Sequence, residues 1–89
     1  MITVRLEIKG KVQGVFFRAT SRKIAGKNNV KGWIKNAKNG NVEAIITGKK
    51  GDVDMFIKWC REGPEKAIVD EVIITHMEET IFEEFDVKR

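Results

Sequence analysis

Thr3-Val4-Arg5-Leu6-Glu7-Ile8-Lys9-Gly10-Lys11-Val12-Gln13-Gly14-Val15-Phe16-Phe17-Arg18 contains a strand, a turn and the start of a helix. Over residues 3–9, apolar Val4, Leu6 and Ile8 alternate with Thr3, Arg5, Glu7 and Lys9. A period of two puts the first set on one face and the second on the other, the pattern of a half-buried strand. Gly10 to Gly14 interrupts the alternation and begins a turn. Beyond it the period changes. Phe17, Ser21, Ile24 and Ala25 fall near helical spacing, and Asn28-Asn29 makes a stop.

Working outward, Gly32 to Asn36 reads as a second strand around Trp33 and Ile34. Lys38-Asn39-Gly40 is a hairpin turn, because Gly takes positive φ at little cost, and residues 41–47 return with Val42, Ala44 and Ile46 on one face. A second helix starts near Asp52, a candidate N-cap, carries Val53, Phe56, Ile57 and Cys60 at i, i+3, i+4 and i+7, and ends at Gly63-Pro64. Residues 69–77 form a fourth strand, and residues 82–87 offer a short optional fifth. The order β-α-β-β-α-β belongs to the α+β class. It predicts the ferredoxin-like split β-α-β sandwich, an antiparallel sheet with both helices on one face. A right-handed crossover leaves a gap between strands one and two that strand three fills, so strands one and two run parallel. Their C-terminal ends, near residues 10–13 and at Asn36, then share one edge of the sheet.

Length and composition bound the rest. Eighty-nine residues, 42% hydrophobic and 34% charged, suit one globular domain, taken as residues 1–89, with no linker or repeat. No apolar run approaches the roughly 20 residues of a membrane span, and Met-Ile-Thr-Val-Arg is no signal peptide. Cys60 has no partner for an internal disulfide, which points to the cytoplasm. Cys60 and the lone His76 exclude a Cys/His metal cluster. Residues 1–51 carry 12 Lys/Arg against 2 Asp/Glu, residues 52–89 carry 5 against 11, and the balances of +10 and −6 give the net +4. A basic first half suits a negatively charged partner, a phosphorylated metabolite or nucleic acid; a solvated surface accounts for it equally well.

The turn Gln13-Gly14-Val15-Phe16-Phe17-Arg18 joins a strand end to a helix start. Such a turn aims successive backbone N–H groups at one point, where the helix dipole reinforces them. Gly14 lets an anion approach the backbone closely, and Arg18 can add a bidentate guanidinium contact. The residues alone leave two readings open: an anion cradle, or an ordinary turn with Phe16 or Phe17 in the core and Arg18 on the surface. Asn36 is the second candidate, since an amide at that edge can hold a water molecule although it is no strong base. A strand-end Asn that caps the hairpin is the plainer reading.

Taken together, Gly10-Lys11-Val12-Gln13-Gly14-Val15-Phe16-Phe17-Arg18, Gly32-Trp33-Ile34-Lys35-Asn36 and Gly40-Asn41-Val42-Glu43 closely resemble the acylphosphatase family. The likeness continues through Gly63-Pro64 and residues 69–74. It implies the same fold and the hydrolysis of acyl phosphates, mixed anhydrides of a carboxylic acid and phosphate. It also implies that Arg18 and the backbone N–H groups of residues 13–18 bind the phosphate, and that Asn36 orients the attacking water. No cofactor or metal is implied. Asn28-Asn29-Val30 before the second strand, Lys38-Asn39 in the hairpin and the final Lys88-Arg89 depart from the family's pattern without touching the two motifs. The chemistry suits so sparse a site. A carboxylate with a pKa of about 4 leaves without a general acid, so positioning and electrostatics remain to be supplied.

Other residues have plainer roles. Cys60 reads as a core thiol, His76 as a surface or semi-buried group, Trp33 and Trp59 as packing, and the acidic residues 78–84 as a solvated loop. RNA-recognition modules share the element order, but residues 41–47 lack the paired aromatics that stack bases. The expected molecule is a monomer acting on a small acyl phosphate and releasing inorganic phosphate, with no nucleic-acid or membrane partner.

Overall fold

The computed structural model describes residues 1–89. Val4, Leu6 and Ile8 are fully buried on β1 (Ile2–Lys11), as the alternation requires. The strand outlasts that pattern. Gly10 does not open the turn; it lies at a register shift against β4 (Ile68–Met77), with φ 129°. A Cβ there would stand 2.1 Å from the Ile68 carbonyl oxygen, so the bulge needs glycine and lets the strand run on to Lys11.

Helix α1 (Phe17–Lys27) buries Phe17, Ser21 and Ala25. Asn28 caps its C-terminus and its Nδ2 donates to the Ile24 carbonyl at 2.9 Å. Next come β2 (Lys31–Asn36) and β3 (Val42–Gly48), joined by the expected hairpin. Helix α2 (Lys50–Glu62) starts earlier than Asp52 predicts. Lys49 is its N-cap, with the Val53 N–H donating to the Lys49 carbonyl, and Asp52 falls in the first turn, where a negative charge meets the positive end of the dipole. Gly63 closes the helix.

The sheet order is β4-β1-β3-β2-β5, with β5 spanning Phe85–Val87. Strand β3 fills the gap between β1 and β2, as the crossover predicts. The sheet is not antiparallel throughout, however, because β5 pairs with β2 in parallel. The reason is where β4 ends. It runs against β1, so it finishes at the end of the sheet where β1 and β2 begin. Residues 78–84 then cross that end, and a strand laid on β2 after the crossing must run in β2's direction.

Thr80 pins this crossing. Its N–H donates to Thr3 Oγ1 and its carbonyl accepts from Thr47 Oγ1, both at 2.8 Å, while the two hydroxyls lie 2.7 Å apart. Thr3 and Thr47, on the face opposite the core, are buried for that reason. Each satisfied bond of this kind contributes about 1 kcal/mol.

Both helices pack on the other face, over one contiguous core. Phe17 and Phe56 meet across Trp59, at centroid distances of 5.1 and 6.2 Å, and Phe85 reaches Phe56 at 5.7 Å. Burying each such ring stabilises the fold by about 1.5–3 kcal/mol. The parallel ladder has a further consequence. The C-terminal ends of β1, β2 and β5 all meet at the end of the sheet opposite the crossing loop.

Candidate active site

Val12 and Val15 are buried, as is Phe17, so the turn between β1 and α1 is fastened to the core at three points. Of the residues between them, Gly14 and Phe16 are exposed. Gly14 has φ 74° and Phe16 has φ 64°, both left-handed. For Gly14 this is a matter of backbone, not room, since a Cβ at that position would meet no atom within 4 Å. For Phe16 the conformation costs about 1–3 kcal/mol. Phe16 is also the N-cap of α1 and makes no side-chain capping bond. The first helical bond runs from the Thr20 N–H to the Phe16 carbonyl, and N–H groups ahead of it have no helical carbonyl to reach.

Gln13 ties this turn to the hairpin. Its Nε2 donates to the carbonyls of Ala37 and Asn41, both at 2.8 Å. The hairpin's own side-chain bond comes from Asn39, whose Oδ1 accepts the Asn41 N–H at 3.0 Å.

A cavity of about 480 Å³ opens at this end, lined by Val12, Gly14, Phe16, Phe17, Arg18, Ala19, Asn36, Val87 and Arg89. Thus Gly14, Phe16, Phe17, Arg18 and Asn36 of the expected site come together. The Gln13 and Val15 side chains do not join them, because one is bonded to the hairpin and the other is packed in the core. Any part those two play in a cradle is confined to the backbone. Only Arg18 and Arg89 bring charge to the lining, and both are positive, so the local field favours an anion. Arg18 is half-buried, and its Nη1 donates to the Lys88 carbonyl at 2.7 Å.

The pattern of the sequence missed the contribution of the tail. Residues 82–87 were legible as a strand, but its partner was not. It is the pairing with β2 that carries Val87 and Arg89 to the cavity.

The remaining candidates lie elsewhere. Cys60 is buried on α2, and desolvation pushes its thiol far above the ordinary range. His76 is exposed on β4. Trp33 is half-buried, with the ammonium groups of Lys88 and Lys35 at 4.9 and 5.3 Å from its ring centroid. No three His, Cys, Asp or Glu side chains gather as a group able to hold a metal ion.

The family model described as Acylphosphatase matches residues 4–87 of this chain. The chain belongs to the acylphosphatase family. An acylphosphatase of Syntrophus aciditrophicus (strain SB) is 49% identical over 86 residues, covering 97% of this chain and 88% of that relative. The crystal structure of acylphosphatase from Bacillus subtilis superposes with a TM-score of 0.96 at 27% identity, covering 100% of both chains. A structure of an acylphosphatase from Coxiella burnetii gives 0.94 at 33% identity, over 98% of this chain and 92% of that one. The ferredoxin-like acylphosphatase fold therefore holds along the whole chain, with β5 as the parallel addition.

Proposed function

We propose that this chain hydrolyses acyl phosphates to a carboxylate and inorganic phosphate without a metal ion. In this reading the turn of residues 13–18 and the Arg18 guanidinium hold the phosphate, and Asn36 orients the attacking water. One observation carries it: Arg18 and Asn36, from different elements, line the same cavity as the turn, with no acidic side chain among them.

The chemistry follows from that lining. The phosphoryl oxygens lie against N–H groups and the free donors of Arg18, which stabilise the charge as the bond to the carboxylate oxygen breaks. The water oxygen forms the new bond to phosphorus, on the side opposite the departing carboxylate. Its proton passes to solvent or to the phosphate product, and the carboxylate leaves without protonation, having a pKa of about 4. Asn36 fits the water-orienting role because the hairpin is held by Asn39 and Gln13, which leaves its amide free for the cavity. A carboxylate in that position would repel the phosphate.

The same proposal takes residues 1–89 as one domain, a cytoplasmic monomer with no nucleic-acid or membrane partner. No helix is long and apolar enough to cross a membrane. Light scattering on the eluted protein checks the monomer. The function itself is tested by phosphate release from acetyl phosphate after dialysis against EDTA. Sustained release is expected; release that stops and returns with magnesium or zinc overturns the mechanism.

A further inference from the structure

Phe16 serves neither the core nor its own backbone. Its side chain is 75% exposed, while the adjacent Phe17 is 2% exposed and packed under the helix. It is the one aromatic residue among the exposed large apolar side chains. Its φ of 64° lies in the region where a bulky residue is disfavoured and glycine or asparagine is at ease. It caps α1 without a side-chain bond, where Ser, Asp or Asn would supply one. On grounds of folding, every feature of the position argues for another residue.

Phe16 is nonetheless one of the residues that line the cavity. Val12, Phe17, Ala19 and Val87 are the other apolar members of that lining, beside the cationic Arg18 and Arg89. The cavity, at about 480 Å³, lies in the range of sites for whole small molecules. A phosphate anchored on the turn and Arg18 uses the polar part, and the acyl group it carries must extend along the apolar part.

We propose that Phe16 is a specificity-determining residue, an aromatic platform for the acyl group, and that the chain favours acyl phosphates whose acyl group is aromatic or bulky and apolar. The proposal rests on the acyl-phosphate reading above and names the class of acyl group. An aromatic face meeting a flat apolar acyl group buries area on both partners, whereas an acetyl group is too small to cover it. The preference therefore appears as a ratio between substrates, not as a change in phosphate affinity.

The experiment measures kcat/KM for benzoyl phosphate and acetyl phosphate, with the melting temperature, in the wild type, Phe16→Gly and Phe16→Leu. Glycine removes the ring and keeps the left-handed backbone; leucine keeps apolar bulk without a flat face. The ratio of the two kcat/KM values cancels any loss that both substrates share. In Phe16→Gly the ratio should fall roughly tenfold, the scale of a lost aromatic contact, with Phe16→Leu in between. The Phe16→Gly melting temperature should be unchanged or higher, since the strained ring is gone. A ratio that stays constant while both substrates lose rate makes Phe16 a structural part of the turn and overturns the proposal, as does a ratio unchanged at full rate. Wild-type protein that turns over both substrates without a ring-dependent ratio removes only the platform. Wild-type protein that turns over neither removes the acyl-phosphate reading as well.

Discussion

Arg18 Nη1 donates to the carbonyl oxygen of Lys88 at 2.7 Å, joining the start of α1 to the residue just past β5. Lys88 is itself held, its N–H donating to the Ile34 carbonyl at 2.8 Å and its Nζ lying 4.9 Å from the Trp33 ring centroid. A guanidinium has five donors in a planar fork, so one can be spent on position while the rest face an anion.

Arg18→Ala should lose on the order of 3 kcal/mol or more of transition-state stabilisation, by analogy with removing one oxyanion donor. Arg18→Lys should recover little, because an ammonium keeps the charge but not the fork. Kinetics on acetyl phosphate check the first. Unchanged inhibition of Arg18→Ala by inorganic phosphate would show that Arg18 is not the anchor.

The tail contact makes a separate prediction. Lys88→Pro removes the N–H that bonds Ile34 and loosens the carbonyl that holds Arg18. Phosphate inhibition and KM should both weaken several-fold, with a small drop in melting temperature, since β5 is short and at the sheet edge. Normal KM with lowered stability would mean that Arg18 finds its position without the tail.

Asn36→Ala should separate binding from chemistry. A neutral amide adds little to the charge on the phosphate, so inhibition by inorganic phosphate should hardly move. In the proposed mechanism Asn36 holds a water that matters only as the new bond forms, so kcat should fall steeply. If instead Asn36 serves the hairpin, the melting temperature drops and kcat stays near normal. Measuring both quantities on one variant decides between them.

Cys60 carries the pH prediction. Desolvation raises its thiol pKa in the folded state, so the neutral form is favoured there, whereas the unfolded thiol ionises at about pH 8.5. Below that pH the folded and unfolded states bind the same proton and stability is unaffected. Above it the unfolded state loses the proton first, and stability falls by up to about 1.4 kcal/mol per pH unit. Urea unfolding of the wild type and Cys60→Ala between pH 7 and 10 should show this alkaline loss only where the thiol is present. Parallel curves would place the alkaline sensitivity elsewhere. Thiol reagents should leave activity of the folded protein intact.

Much of this architecture is written in local periodicity. Val4, Leu6 and Ile8 show the strand, Phe17, Ser21 and Ala25 the helix face, and Lys38-Asn39-Gly40 the hairpin, because each pattern reflects neighbours a few residues apart. The element order, through the handedness of the crossover, was enough to put Arg18 and Asn36 at one edge. Local pattern misjudged Gly10 and Asp52 for a matching reason. One is decided by the Ile68 carbonyl on another strand, and the other by a backbone bond to Lys49 that no residue type announces.

The sequence by itself determined the strands, the helices and the presence of a turn at residues 13–18, since those depend on side-chain alternation and on Gly14, which accepts positive φ. Tertiary structure alone decided which way β5 runs, that Thr3 is covered, and that Arg18 meets Lys88. The physical reason is that edge pairing is a choice among free backbone groups, which carry no side-chain signature. The choice fell to the path of residues 78–84, held by the Thr80 bonds to Thr3 and Thr47 on strands far away in the chain.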